Sequence, residues 1–449
     1  MQAIFAILAW SLQVLTAGFF PPRDHAGNPF LSSWRTKSQG KSLNCTALLT
    51  EVRGDWEMYK NTFNLSGWSG TDNICYRCYA SKENSRDCTS SAVWRTQRKT
   101  TMDHFADSIT EGKQISALFS APGLQIDCFV IDWLHACDLG VAQDFLGNLI
   151  YFLLDRFPGA SKDKRLSSVF RSMQSFYRRN SVDNRLDTLT MGMLRKTDKK
   201  TNKVSAPKLR ASAGETRSLI PWSLEIAEAL LDKSNTFEKT IFQATLQLNA
   251  CYSLLSRDLW NPQELATAGQ RFLLLYVSLS DSDPEGMFWR FKPKHHLFQE
   301  LCEFDECCPS QNWTYRDEDM GGTVAAISRR RGGEPCLPFG VCFFSPLASF
   351  KFGLMPHDQS PLRKIQLLQL REIHCTNSCL NMNFQSGLLH EEKKRNSCQA
   401  DTSTHLLFVH LLAHDLSPRR YLLHLGFFKD MEIKFPEAKD FYTEERKPP

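Results

Sequence analysis

Ile4, Leu8, Leu12 and Leu15 recur at three- and four-residue spacing through the apolar start of the chain, a period that predicts a helix over residues 1–17. Gly18 and the Pro21-Pro22 pair end it. A connection containing Gly, Pro and Ser runs from 21 to 42. The apolar stretch Ala47-Leu-Leu-Thr-Glu-Val-Arg53 then reads as a strand that delivers Asp55 just past its end. Ile126-Asp-Cys-Phe-Val-Ile131 reads as a second strand, delivering Asp132. From about residue 141 the pattern changes. Val141, Phe145, Leu149 and Phe152 have helical spacing, and further helical runs are expected over 166–177, 222–231, 237–255 and 262–279. Another helical unit spans 292–304. Met320, Val324 and Ile327 then begin an apolar stripe that puts Glu318 in a helix's first turn, with Arg329, Arg330 and Arg331 at its end. Beyond 334 neither a helical nor an alternating period is sustained, so the tail is expected to be poorly ordered.

This order predicts an α/β layer with a mixed sheet, interrupted by an all-α block. The expected organisation is a core over 1–140, a helical insertion over 141–290, a return to the core over 291–333, and a tail of different character over 334–449.

Composition adds bounds. The chain has 449 residues, 42% hydrophobic and 23% charged, which suits a folded protein of two or three domains and excludes fibrous or fully disordered classes. Its net charge of +5 tolerates a polyanionic partner without demanding one. Fifteen scattered cysteines make a poor disulfide framework and a better mixture of buried thiols and metal ligands, which favours a reducing compartment. Against that stand the apolar opening and three sequons, Asn44-Cys-Thr46, Asn64-Leu-Ser66 and Asn312-Trp-Thr314, which keep a secreted reading open. No basic residue precedes Arg23, and Trp10, Ser11 and Gln13 break the apolar run, so neither a secretory signal nor a membrane span is expected.

Four residues suggest a metal site. Cys75-Tyr-Arg-Cys78 and Asp132-Trp-Leu-His135 offer two thiols, a carboxylate and an imidazole, a set that can hold Zn²⁺ tetrahedrally. The alternative is that His135 hydrogen-bonds Asp132 or another core carboxylate while the cysteines stay free. Cys88 and Cys137 are spare ligands. A loop bearing Arg195, Lys196, Lys199, Lys200, Lys203, Lys208, Arg210 and Arg217 is either a solvated loop or one that meets nucleic-acid phosphates. Lys292 and Lys294 are open to the same two readings, and His295-His296 is expected to cap or pack a helix. His410 and His414 have the spacing of a zinc-protease helix without its glutamate. His374, Cys375, Cys379 and Cys398 fit no standard site.

Taken together, Gly54-Asp55-Trp56, Cys75-Tyr-Arg-Cys78, Asp132-Trp-Leu-His135 followed by Asp138-Leu-Gly140, Pro293-Lys-His-His-Leu297, and Trp313-Thr-Tyr315 with Glu318-Asp-Met-Gly321 resemble the transposases of the CACTA and Kyakuja-Dileera-Zisupton type. The resemblance covers roughly residues 1–333. It implies a partial RNase H-like core interrupted by a helical insertion, with Asp55 as the second and Glu318 as the last acid of an Asp-Asp-Glu set. It also implies DNA as partner, self-association, a nuclear location, and Mg²⁺ or Mn²⁺ between the carboxylates, where two such metals stabilise an in-line phosphoryl displacement. The DNA contacts expected are Lys196, Lys199, Lys200, Lys203, Lys208, Arg210, Arg329, Arg330 and Arg331. Zinc bound by Asp132 would bar that residue from catalysis, which favours Asp55. Without the resemblance, Asp55 reads as a turn or helix-capping acid. Only Asp24 precedes Asp55, so the first acid and its strands are expected to be missing and this copy to be an inactive, truncated relative. A DNA-binding or self-associating remnant without catalysis is the second reading, and a secreted cysteine-containing protein the third.

Overall fold

The computed structural model describes residues 1–319, apart from 71, 198, 199, 203 and 284, together with the strand at 349–355. The chain divides into two compact units. One comprises Met1–Val52, Ser116–Leu124 and Ser349–Pro449, the other Arg53–Ile115 and Gln125–Ala348.

In the first unit α1 (Gln2–Ala17) buries Phe5, Leu8, Ala9 and Leu12. Ile4 is 42% exposed, so the apolar face is rotated from the one its spacing suggested, because the bulk of Phe5 takes the inner position. Gly18 ends the helix at φ 76°, and a side chain there would meet Thr46 at 2.7 Å, so both the backbone and the space require glycine. α2 (Ser33–Ser38) follows, then β1 (Thr46–Arg53), which pairs with β2 (Ser349–Met355) in a two-stranded ladder. Gln13 donates to the Ser120 carbonyl and Gln2 accepts from the Ala117 amide, fastening α1 to the 117–120 turn.

The second unit is largely helical. α3 (Trp56–Phe63) starts at Asp55, whose carboxylate accepts the Met58 amide. Tyr59 and Phe63 on its inner face pack edge-on against Phe129, and Tyr59 meets Tyr76 in the same way. α4 (Thr101–Thr110) opens on a capping box between Thr100 and Asp103. The expected second strand is overturned. Residues Ile126–Cys128 form a 3-10 turn, and extended backbone at Phe129 leads on to Asp132. The segment carries the β-branched residues of a strand, but Ile126 and Ile131 are buried without pairing in a sheet. Among the described residues of this unit there is no sheet, so no mixed sheet is assembled here.

After Trp133 the chain turns into a π-helix, Leu134–Val141, continuous with α5 (Ala142–Leu153). α6 (Lys162–Arg179), α7 (Met191–Leu194), α8 (Ala213–Leu230), α9 (Thr236–Ser253) and α10 (Pro262–Asp281) follow, matching the all-α block read from the 3.6-residue period. α9 lies on α10 and α8, and α11 (Pro293–Cys302) packs against both α10 and the π-helix. Residues 315–319 are helical, with Glu318 in the first turn as expected. Arg329, Arg330, Arg331 and the histidine and cysteine groupings of the tail lie outside the described residues, as do Lys199 and Lys203.

Candidate functional site

Chain segments distant in sequence converge in the second unit, at two places. The first is built from Cys75, Cys78, His296 and Glu300. These four are buried, and one ligand atom from each lies within 4.8 Å of the others. The two thiols sit in a tight loop tied by the Ile74 amide to the Ala80 carbonyl and by an isolated bridge between Cys78 and Arg98. His296 and Glu300 are one turn apart on α11, the i and i+4 positions that share a helix face. The Cys78 Sγ and His296 Nε2 are 3.2 Å apart. Burial opposes charge on the Cys75 thiol, but hydrogen bonds from Cys78 and His296 hold it well below the usual thiol range. Its neighbour Cys78 is pushed up, first by Cys75 and then by burial. Glu300 is also paired with Arg98 at 2.6 Å, which leaves its second oxygen for another partner.

These four side chains could hold a metal ion. Two sulfurs, one imidazole and one carboxylate form a zinc-like donor set, and close burial of all four without an ion leaves a thiolate, an imidazole and a carboxylate sharing protons in a space closed to water. Closure also argues against thiol exchange, since both cysteines are fully enclosed at 0% exposure. The four ligands expected from sequence are not brought together among the described residues. Cys75 and Cys78 take His296 and Glu300 as partners, while Asp132 and His135 are committed elsewhere. The missed pair had a signal, an imidazole and an acid four residues apart on an apolar helix, but nothing in the sequence joined that helix to the thiols.

The second place is centred on Asp132, which accepts five hydrogen bonds. Its Oδ1 takes the amides of Leu134 and Thr314, and its Oδ2 takes the His135 amide, the His135 Nδ1 and the Thr314 hydroxyl. Asp132 thus caps the π-helix and clamps the returning 313–319 segment, 182 positions away, against it. No lone pair is left over for zinc. The His135 ring bridges two acids, with Nδ1 at 2.5 Å from Asp132 and Nε2 at 2.8 Å from Glu318. Burial alone would lower its pKa, but hydrogen bonds to Asp132 and Glu318 raise it to about 9, so it is a cation at neutral pH.

Next along the π-helix, Asp138 is fully buried and accepts from Tyr252 at 2.5 Å and Tyr315 at 2.8 Å. Burial pushes its carboxyl up to about 7, against the lowering pull of Arg217 and the two tyrosines. Arg217 lies over the Trp313 ring at 4.3 Å, so it braces the same segment and does not belong to a solvated basic loop.

Asp55 and Glu318 each have other partners, the Met58 amide for the first and the His135 ring for the second. Among the described residues no hydrogen bond or ion pair joins them. Asp55 caps α3, and its charge acts on the Lys294 ammonium, which in turn donates to the His135 carbonyl at 2.7 Å. Of the expected DNA contacts, Lys196 and Lys200 are exposed. Lys208 and Arg210 point inward, Lys208 to the Leu139 carbonyl and Arg210 to the carbonyls of Gly192 and Met193.

No protein-family model and no curated protein matches the chain. The chemistry of the two places therefore carries the functional argument. One is closed and suited to a soft metal; the other is half-open, acidic and cationic together.

Proposed function

We propose that this is a transposase-derived, RNase H-related DNA-binding protein. In this reading Asp55 and Glu318 belong to a phosphoryl-transfer centre, and Cys75, Cys78, His296 and Glu300 hold a structural Zn²⁺. The observation that carries the reading is the return of residues 313–319, across the whole helical block, onto Asp132 and His135. Such a return is what a helical insertion between the second and last acids requires, and it brings Glu318 onto the surface around His135. Zinc in the thiol cluster would tie the 75–78 loop to α11 and so hold that surface in place.

A divalent cation at the acids would be held by Asp55 and Glu318, hard oxygen donors suited to Mg²⁺ or Mn²⁺, and would supply positive charge to a phosphodiester. Glu318 fits that duty because its side chain is 45% exposed and its ion-pair partner is His135. Asp132 does not, because all its acceptor capacity is used. The described residues thus supply two acids where a two-metal displacement asks for three, so the protein is expected to bind duplex DNA but to cut it poorly or not at all.

The test is duplex binding and nicking with Mg²⁺ or Mn²⁺, comparing the wild type with Asp55→Ala and Glu318→Ala. Retained duplex, with no cleavage that depends on these acids, is the expected result. Failure of the purified protein to retain DNA at low salt sinks the reading, and acid-dependent cleavage restores a full transferase.

A further inference from the structure

Three lysines from two distant segments meet on one face of the π-helix and α5. The Lys294 Nζ donates to the His135 carbonyl at 2.7 Å, the Lys208 Nζ to the Leu139 carbonyl at 3.1 Å, and the Lys292 Nζ is paired with Asp144 at 2.8 Å. Gly140, Asp144 and Gly147 share that face, at i, i+4 and i+7. Both glycines are required by what lies on them. A Cβ at 140 would stand 2.6 Å from the Lys294 Cδ, and one at 147 would stand 2.3 Å from the Lys208 backbone. The Leu209 amide then ties the lysine-bearing segment to the Gln143 carbonyl at 2.9 Å.

The face is thus shaped to receive three ammonium groups, while Asp144 is paired with Lys292 and its charge also acts on Lys208 and Lys294. Each ammonium has three N–H donors, and the contacts described use one apiece. A compact cluster of cations with spare donors is stabilised by an anion that takes several of those N–H groups at once.

We propose that Lys208, Lys292 and Lys294 form a phosphate-binding site that grips a phosphodiester of duplex DNA. This rests on the DNA reading above and deepens it, placing the backbone contact on the buried side of the 195–210 loop instead of on its exposed tip. Lysine suits the task because it meets phosphate as a point charge and tolerates any base sequence.

The experiment is duplex binding followed by fluorescence anisotropy over a salt series in EDTA, so that no metal is needed. It compares the full-length wild type with Lys294→Gln, Lys208→Gln and the exposed control Lys239→Gln. Each of the first two is expected to weaken binding about tenfold, the worth of one charge-assisted hydrogen bond, and to cut the salt slope by about 0.9. The control should change neither. Wild-type binding left intact in both lysine variants overturns the site and spares the DNA reading.

If a variant does not fold, the wild type is footprinted with acetic anhydride. Protection of Lys294 and Lys208 by duplex, ahead of Lys239, supports the proposal, and equal labelling with and without duplex overturns it. Protection by inorganic phosphate in a protein that retains no duplex keeps the three-lysine site and removes DNA as its ligand.

Discussion

Two histidines in this protein each face acids, and their surroundings set them to different work. His296 is fully enclosed and meets two thiols and Glu300, whereas the His135 side chain keeps 20% of its surface and reaches Glu318, which keeps 45%. In the closed place one ligand atom from each of four residues lies within 4.8 Å of the others, a spacing that a metal ion could bridge. In the half-open place Asp132 is saturated by five donors, and only the outer acid has freedom to turn. Burial with convergence gives a structural centre; partial exposure with one committed acid leaves a surface able to meet a ligand from outside.

The sharpest test of that contrast is removal of a thiol. Cys75→Ser is expected to abolish one equivalent of bound zinc and to lower stability on the order of 5 kcal/mol, since the site would lose its ion and leave buried polar groups unmatched. Zinc content by mass spectrometry, with urea denaturation, reads both. A loss below about 1 kcal/mol with no zinc in the wild type would make the cluster an ordinary buried hydrogen-bond group and erase the difference between the two places.

Next in size is a pH effect confined to the half-open place. Asp138 has its carboxyl raised to about 7, chiefly by burial, while an aspartate in an unfolded chain titrates near 3.9. The folded protein therefore holds this proton more tightly than the unfolded one. The contribution to stability is full below about pH 4 and is lost as pH rises towards 7, a fall on the order of 4 kcal/mol. Asp138→Asn should flatten that dependence in denaturation curves taken from pH 5 to 8. An unchanged slope would show that Asp138 is not the group linking Tyr252 and Tyr315 to pH.

The helical block was legible because its apolar positions keep a 3.6-residue period over long stretches, and such a pattern survives almost any tertiary setting. Glu318 was legible for the same reason, through the stripe that follows it. The strand expected at 126–131 failed because a short apolar run suits a buried turn as well as a strand, and periodicity over six residues cannot separate them. Asp55 caps α3, the reading that its local sequence offered on its own. The buried thiol cluster was only half legible. Cys75 and Cys78 lie three positions apart and announce themselves, but His296 lies 218 positions from Cys78, and only the packing of α11 brings them together. The inward turn of Lys208 was hidden too, because it depends on the missing side chain of Gly147, a reason that resides in the partner helix.

The smallest expected effect is the one that decides what Glu318 is for. Asp132→Asn replaces an acceptor facing several donors with an amide whose N–H groups oppose them, and about 3 kcal/mol should be lost. Glu318→Gln removes one partly exposed ion pair and should cost below about 1 kcal/mol. Measured together by denaturation, the two values show which acid holds the 313–319 segment in place. If Glu318→Gln matches Asp132→Asn, the glutamate is a second clamp, too firmly tied to His135 to leave for a cation, and the half-open place becomes as structural as the closed one. If the gap holds, Glu318 is the acid free to turn. A Mg²⁺-dependent change in DNA binding that disappears in Glu318→Gln, with stability unaltered, would then tie that freedom to metal and not to folding.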